Sequence, residues 1–407
     1  MTRPWVIELR RGVGSRSFPL LVLALAATAA AHPRDWAGDW LGWGYYQRTS
    51  LVVYGPLVAA AAAWQGGRER RAGLEDLLAS CARGRLARAT ASVASPAAWS
   101  LAAFLMVFTA MAVITATTTT FGGPPLLVSL SAAAAVLMFA CAGYAIGSAS
   151  RWRLTAPALA LGTYVALAVV SYGGRNYLSP AVELRSPLTA PAEWAALSIV
   201  TFLAVAVAAL QLLDPRTRPY SAILVLTAVL AAAPISALDD EDFPADAAAQ
   251  RLVCEDGSPQ VCVTARHADQ LPVVADAIQA TLAGLGLAGR IEERRDDELG
   301  PGDTTQRINQ LYLDPTVTGG ADLEAIRRDA ARAAVTWDCP EGPFPPDDEL
   351  FDATVDITDW LLVRSAPAEA GVLKGRTPPM ALAATRAFIA AAADCNPEAA
   401  RRAIGRA

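Results

Sequence analysis

The sequence predicts an all-α bundle of membrane-spanning helices followed by an α+β domain in water. Hydrophobic residues make up 54% of the 407 positions, which is high for a water-soluble chain. Long uncharged apolar runs continue up to Ser236 and then stop. Residues 237–407 hold 30 of the 39 acidic residues and 16 of the 34 basic ones, a net charge of −14, against +9 in residues 1–236. We therefore expect residues 1–236 in a bilayer and residues 237–407 outside it.

Seven apolar runs are candidates for crossing the membrane. They are residues 18–31, 51–64, 97–116, 126–147, 154–172, 194–213 and 220–236. A spanning helix needs about 20 residues, and the first two runs are short unless their flanks extend them. We expect seven crossings, or five if the two short runs form a re-entrant or interfacial pair; six is the least favoured count. None of the runs contains a charged residue, which argues against a proton relay.

Arginines predict the orientation of the bundle. The segments before the first run and after the second, fourth and sixth runs contain 14 arginines. The intervening segments contain four, which are Arg34, Arg48, Arg175 and Arg185. Because arginine-rich loops stay in the cytoplasm, we expect a cytoplasmic amino terminus and an extracytoplasmic tail for five or seven crossings. Trp and Tyr residues at positions 36–46 are typical of an interfacial aromatic belt. The protein is thus expected in the cell membrane as a multi-pass protein.

The first run also has the pattern of a signal peptide. A basic segment precedes an apolar core of 14 residues that ends in small residues at Ala31. Cleavage after Ala31 and retention as an anchor are both open, and either outcome leaves the later topology unchanged.

Cysteine placement agrees with an oxidising environment for the tail. The tail cysteines are Cys254, Cys262, Cys339 and Cys395. They can pair in three ways. Cys254 and Cys262 flank a turn-rich segment between short β-prone stretches, which favours a bridged hairpin and leaves Cys339 to pair with Cys395. Four reduced thiols in a cytoplasmic domain remain the alternative.

The tail has alternating strand and helix patterns. Strands are expected at residues 252–254, 261–264, 290–294 and 308–313, and helices at 268–283, 321–336, 348–364 and 379–393. Strands come early and helices late, which predicts an α+β domain of about 170 residues.

Several kinds of chemistry are not supported by the sequence. Lys374 is the only lysine and cannot supply a nucleotide-binding P-loop. The glycines Gly284, Gly286 and Gly289 fit Gly-x-Gly-x-x-Gly. They end a helix and precede a strand, so we interpret them as a helix cap and turn. No Cys-x-x-Cys or His-Glu-x-x-His occurs. We expect no enzymatic activity, cofactor, metal or nucleic-acid partner.

Two features concern membrane architecture. Gly143 and Gly147 form a Gly-x-x-x-Gly pair that allows close helix packing, although such pairs also arise by chance in Ala- and Gly-rich spans. The arginine-rich loop after the second run contains Gly73-Leu74-Glu75, Leu77-Leu78 and Ser80. By itself, this loop could simply be a surface helix that satisfies the positive-inside rule.

That loop resembles the "Arg/Glu-x-x-Gly-Thr-Leu-Glu-x-Leu-Leu-x-Ser/Thr" segment of type 2 ABC transporter permeases. Residues 142–147, followed by 151–157, are similar to the region between the fourth and fifth spans of such permeases in actinobacteria. The resemblance covers residues 64–213 and its motifs are short. This chain departs from the family in two respects. These permeases usually have six spans, and they usually lack a large domain after the last span.

The resemblance implies a permease subunit that lies in membrane lipid and is energised by a separate cytoplasmic ATPase in trans. A second copy of the permease is a possible further partner. The ATPase-coupling candidates are Arg68, Arg70, Arg71, Gly73, Leu74, Glu75, Leu77 and Leu78. The substrate stays unknown. A second hypothesis is a membrane-anchored extracytoplasmic binding or sensing protein without transport activity.

Overall fold

A computed structural model describes most of the chain as two compact units. The described residues are 9–10, 12–74, 84–119, 121–172, 176–182, 184, 189–239, 242–244, 246–287, 290–293, 310–311, 322–337, 347–364 and 371–405. The first unit comprises Met1–Thr117 and Gly122–Ala245, and the second comprises Thr118–Phe121 and Asp246–Ala407.

The first unit is helical in its described part. Its helices are α1 (Val13–Ala31), α2 (Trp40–Thr49), α3 (Leu51–Gly66), α4 (Arg68–Arg71), α5 (Arg85–Thr118), α6 (Leu126–Ala149), α7 (Thr155–Tyr172), α8 (Ala192–Gln211) and α9 (Arg218–Ile235). Five of these, α1, α5, α6, α8 and α9, are long and apolar enough to cross a membrane. The first run belongs to a helix of 19 residues. The second run is short as predicted, in α3, and the other short apolar helix of this unit is α7, which corresponds to the fifth run.

Helices α2 and α3 form one nearly continuous rod. Ser50 joins them with helical dihedrals, φ −60° and ψ −20°. From Trp40 to Gly66 the rod is about 40 Å long at 1.5 Å per residue. This length exceeds the hydrocarbon thickness of about 30 Å, although α3 alone does not reach it. The short second run is therefore extended by its amino-terminal flank.

The α2–α3 rod runs parallel to α6 along its whole length. A Cβ added to Gly44 would lie 2.2 Å from Pro125, before the start of α6. Towards the other end, a Cβ on Gly147 would lie 2.1 Å from the carbonyl oxygen of Ala63. Residue numbers therefore rise together along both elements. In a bilayer, parallel neighbours require an odd number of crossings between them, and α5 supplies one.

Aromatic side chains are fixed at one end of the bundle, here called the aromatic end. The indole nitrogen of Trp43 donates to the carbonyl of Phe108 at 3.1 Å. The Trp194 indole donates to the carbonyl of Tyr177 at 3.0 Å. The ring of Phe243 stacks on that of Tyr177, with centroids 4.1 Å apart. Because Phe243 is buried here, the first unit continues to Ala245, beyond the boundary at Ser236 that composition indicates.

The second unit combines a small sheet with helices. Its elements are α10 (Ala247–Gln250), β1 (Leu252–Glu255), β2 (Gln260–Thr264), α11 (Leu271–Leu282), β3 (Arg290–Glu293), β4 (Gln310–Leu311), α12 (Leu323–Val335), α13 (Asp348–Val363), α14 (Pro378–Ala393) and α15 (Pro397–Ile404). The described sheet has the order β1-β2-β3-β4. β1 pairs antiparallel with β2, whereas the pairs β2–β3 and β3–β4 are parallel. Helix α11 makes the crossover from β2 to β3, and large side chains such as Trp337 and Phe388 fill the core.

The β1–β2 hairpin carries a disulfide between Cys254 and Cys262, the first pairing that the sequence favours. These residues face each other in the antiparallel register. Cys395 is also disulfide-bonded. Cys339 lies outside the described residues, so the Cys339–Cys395 pairing stays a prediction. Cys141 is a buried free thiol in α6.

Candidate functional site

The amino-terminal segment, the end of α3 and the start of α5 meet at one end of the bundle. The amide of Val13 donates to the side-chain oxygen of Gln65 at 3.2 Å. The side-chain nitrogen of Gln65, Nε2, donates to the Ser92 hydroxyl at 3.3 Å. Gln65 thus joins three segments that are far apart in the sequence.

The loops that follow α6 and α8 lie at the same end. Arg70 donates from Nη1 to the carbonyl of Ala149 at 2.7 Å. A Cβ added to Gly84 would lie 4.0 Å from the Asp214 carboxylate. We call this end the arginine end, and it comprises residues 9–10, 12–16, 65–74, 84–92, 149–153 and 212–218. The four segments that the sequence assigns to the arginine-rich side therefore meet within one unit.

The described coupling candidates lie at the arginine end. Helix α4 follows α3 through Gly67, whose φ of −76° and ψ of −5° are helical. Gly73 then adopts φ +65°, a left-handed conformation, with open space around its Cα. Leu74 comes next with 41% of its surface exposed. The remaining candidates, Glu75, Leu77 and Leu78, lie outside the described residues.

Gly143 and Gly147 pack against α3. A Cβ on Gly143 would lie 2.4 Å from the carbonyl oxygen of Ala59, and one on Gly147 would meet Ala63 in the same way. On the opposite side of the contact, a Cβ on Gly66 would lie 2.3 Å from the Tyr144 carbonyl. We call this contact the α3–α6 interface. Such distances require main chains that approach closely, which only small residues permit.

Helix α3 lies at the centre of the bundle. It packs against α1, α6 and α7. Leu51, Val58 and Ala62 are fully buried in it, and the Tyr54 hydroxyl donates to the carbonyl of Ser100 in α5 at 2.6 Å. The segment at residues 68–74 is therefore attached directly to a largely buried helix of the unit.

A second cluster, around Arg48, was not expected from the sequence. The sequence pattern places Arg48 in an outer loop, but it belongs to the last turn of α2 and its side chain is 0% exposed. Its Nε donates to the Pro180 carbonyl at 2.8 Å and its Nη2 to the Ser179 carbonyl at 2.7 Å. Its Nη1 donates to the Ser131 hydroxyl at 2.9 Å. These bonds connect α2, α6 and the segment that precedes α8.

Two aromatic rings complete the Arg48 cluster. The guanidinium carbon lies 4.8 Å from the Trp194 ring centroid and 5.2 Å from that of Phe202. Within the described residues, Arg48 forms no ion pair with a carboxylate. A buried charge is costly, so carbonyl dipoles, a hydroxyl and π faces must compensate it. The aromatic residues before Arg48 extend the apolar run through α2, but they do not indicate which groups meet the guanidinium.

The described residues offer little for metal binding or for a glycine-rich nucleotide-binding loop. No group of three or more His, Cys, Asp or Glu side chains among them could hold a metal ion. Gly284 and Gly286 have φ of +75° and +72° after the end of α11, the geometry of a turn. Gly289 falls outside the described part of the chain. Comparison with family models, with curated proteins and with solved structures finds no match for this chain.

Proposed function

We propose that this protein is the permease subunit of an ATP-driven transporter, energised by a separate ATPase that binds the arginine end. One observation carries the proposal. The segment at residues 68–74 continues the α2–α3 rod, so a partner that displaces this segment acts directly on α3, which packs against α1, α6 and α7.

The charge distribution supports the orientation that this function requires. The arginine end belongs in the cytoplasm by the positive-inside rule, where an ATPase has access to it. In this orientation, the acidic second unit faces outward. Its Cys254–Cys262 disulfide is typical of an oxidising compartment.

The rod offers a route from the ATPase to the opposite side of the bundle. Its arginine end continues into α4, and the Arg48 cluster lies within it towards the aromatic end. We infer that displacement of the rod changes the hydrogen bonds from Arg48 to Ser179 and Pro180. Those bonds hold the segment before α8, so the two ends of the bundle would be coupled mechanically.

A second candidate function is binding or sensing by the outward-facing unit, with the helices as an anchor. The observation that favours it is the second unit's own apolar core, which includes Trp337, Ile357 and Phe388. A unit with its own core can carry a ligand site without help from the bundle.

Site-specific photo-crosslinking in cells can distinguish these two functions. A photo-reactive residue replaces Leu74, and the matched control replaces Leu126, which is also exposed but lies at the aromatic end. We expect an ATPase subunit to crosslink at Leu74 and to be recovered with the full chain in mild detergent. Equal crosslinking at both positions, or repeated recovery without any ATPase, would contradict the transport proposal.

A further inference from the structure

Two tryptophans and two arginines lie at or beside the arginine end, where the bond from Arg70 to the Ala149 carbonyl brings α4 next to the segment after α6. They are Trp64 at the end of α3, Arg71 at the end of α4, and Trp152 and Arg153 between α6 and α7. The Arg71 guanidinium lies over the Trp64 ring, 4.5 Å from its centroid, and donates to the Trp64 carbonyl. We call this set the Trp64–Arg153 surface.

The two arginines place positive charge at this surface. Neither Arg71 nor Arg153 forms an ion pair with a carboxylate within the described residues. Partial burial lowers the pKa of Arg71, and the nearby charge of Arg153 lowers it further. Because the Arg70–Ala149 bond holds α4 against the segment that carries Arg153, the two guanidinium groups are neighbours and favour an anion between them.

The two tryptophans place the same surface at the boundary between lipid and water. Trp64 is 45% exposed and Trp152 is 62% exposed. Tryptophan is enriched at that boundary because its ring is apolar and its N–H is polar. Beside Arg153, Leu154 and Leu161 expose 54% and 66% of their surfaces at the start of α7, which suits contact with acyl chains.

We propose that the Trp64–Arg153 surface binds the phosphate headgroup of an anionic phospholipid. The phosphate oxygens accept hydrogen bonds from Arg71 and Arg153, and the acyl chains lie along the exposed leucines of α7. The indole rings of Trp64 and Trp152 border the glycerol region. This site shares Arg71 with the proposed coupling segment, but it requires only that the bundle lies in a bilayer and can be tested without an ATPase.

Native mass spectrometry of the full chain in detergent tests the site. Dioleoyl phosphatidylglycerol and dioleoyl phosphatidylcholine are titrated separately against the wild type, Arg153→Gln and the double variant Arg71→Gln/Arg153→Gln. The matched control is Arg216→Gln/Arg218→Gln, which removes two exposed arginines from another loop at the same end. Arg153 is exposed, so the single variant keeps the test valid if the double variant does not fold.

We expect the wild type to prefer phosphatidylglycerol over phosphatidylcholine by at least about fivefold, since only the former carries net negative charge. Arg153→Gln should reduce this preference, the double variant should remove it, and the control pair should leave it within about twofold of the wild type. If the double variant and the control lose the preference for phosphatidylglycerol equally, the attraction is non-specific and the proposal is overturned. Displacement of the lipid by millimolar inorganic phosphate would overturn it too, because the site would then bind free phosphate.

Discussion

The two units differ in the residues that they expose. In the first unit, large apolar residues such as Leu20, Leu161 and Leu230 are exposed, whereas glycines and alanines fill the α3–α6 interface. In the second unit, Trp337 and Phe388 are buried and the surface is acidic. The difference indicates that lipid surrounds the first unit, because exposed leucines on this scale are unfavourable in water.

The comparison also shows two ways to accommodate arginine. Arg48 is enclosed in the bundle by carbonyls, a hydroxyl and two rings. In the second unit, Arg364 is half-buried and donates to the carbonyls of Thr281 and Ala283 at the end of α11. The first arrangement is the more expensive to break, since water can reach the partly exposed carbonyls around Arg364 but not those around Arg48.

The largest effect is expected at the α3–α6 interface. Gly147→Leu should destabilise the bundle by more than about 3 kcal/mol, because the added side chain meets the main chain of Ala63 and α3 must move away. Gly162→Leu is the matched control, since nothing lies within 4 Å of a Cβ on Gly162 in α7. Thermal unfolding in detergent, followed by size-exclusion chromatography, measures both. Equal midpoints for the two variants would mean that close packing does not hold this unit together.

The next effect concerns the core of the second unit. Phe388→Ala should cost about 3–5 kcal/mol, the usual loss for a buried phenylalanine. Phe351→Ala removes the same atoms from a side chain that is 50% exposed and should cost far less. Limited proteolysis of the full chain should show faster cleavage within residues 246–407 for Phe388→Ala alone. If Phe388→Ala also speeds cleavage throughout the bundle, the two units do not have independent cores.

A smaller effect is expected at the Arg48 cluster. Arg48→Gln should destabilise the bundle by about 2–3 kcal/mol, because the carbonyls of Ser179 and Pro180 lose their donors in a buried position. The loss is partly offset by removal of a buried charge. Arg16→Gln, at an exposed position of α1, should leave the unfolding midpoint nearly unchanged. If both variants behave alike in the same detergent assay, Arg48 is not a stabilising contact.

The smallest effect is expected at Asp347, which caps α13 by accepting from the Leu350 amide at 2.9 Å and pairs with Arg401. The Leu350 bond, followed by the Arg401 guanidinium, lowers the pKa of Asp347. The stabilisation by ionised Asp347 is therefore fully present at pH values above the ordinary pKa of a carboxyl group, and it is lost as the pH falls through the lowered pKa. Asp347→Ala should cost about 1 kcal/mol at neutral pH.

The difference between Asp347→Ala and the wild type should narrow on acidification. Proteolysis rates of the second unit at neutral and acidic pH, with an acid-stable protease, provide the measurement. Asp347→Asn retains a capping oxygen and serves as the control, with a smaller loss than alanine at neutral pH. If the difference in proteolysis rate between Asp347→Ala and the wild type widens as the pH falls, ionised Asp347 does not stabilise the second unit.

Much of the helical framework could be predicted from sequence because apolar runs and arginines are local signals. The tail predictions also match the structure at β1, β2, β3 and α11 to α14. Helix α15 was not predicted, since only Ala400 and Ile404 form its buried stripe. Short amphipathic segments of this kind give too few apolar positions to define a period.

The Arg48 cluster could not be predicted because it depends on distant partners. Ser131 and Pro180 are each more than 80 residues away in sequence, and nothing local indicates that they meet a guanidinium. An arginine next to an apolar run is normally expected at the membrane surface. Tertiary packing reverses that expectation here, since the α2–α3 rod carries Arg48 into the bundle.

Cysteine accessibility tests the central claim, that the arginine end faces the cytoplasm and the acidic unit faces outward. Leu74→Cys and Asp352→Cys are placed separately in a Cys81→Ser background, while Cys141 stays buried. A membrane-impermeant maleimide is applied to intact cells and to permeabilised cells. We predict that Cys at 352 reacts in intact cells and that Cys at 74 reacts only after permeabilisation. The reverse pattern would contradict the orientation and, with it, the proposed contact with a cytoplasmic ATPase.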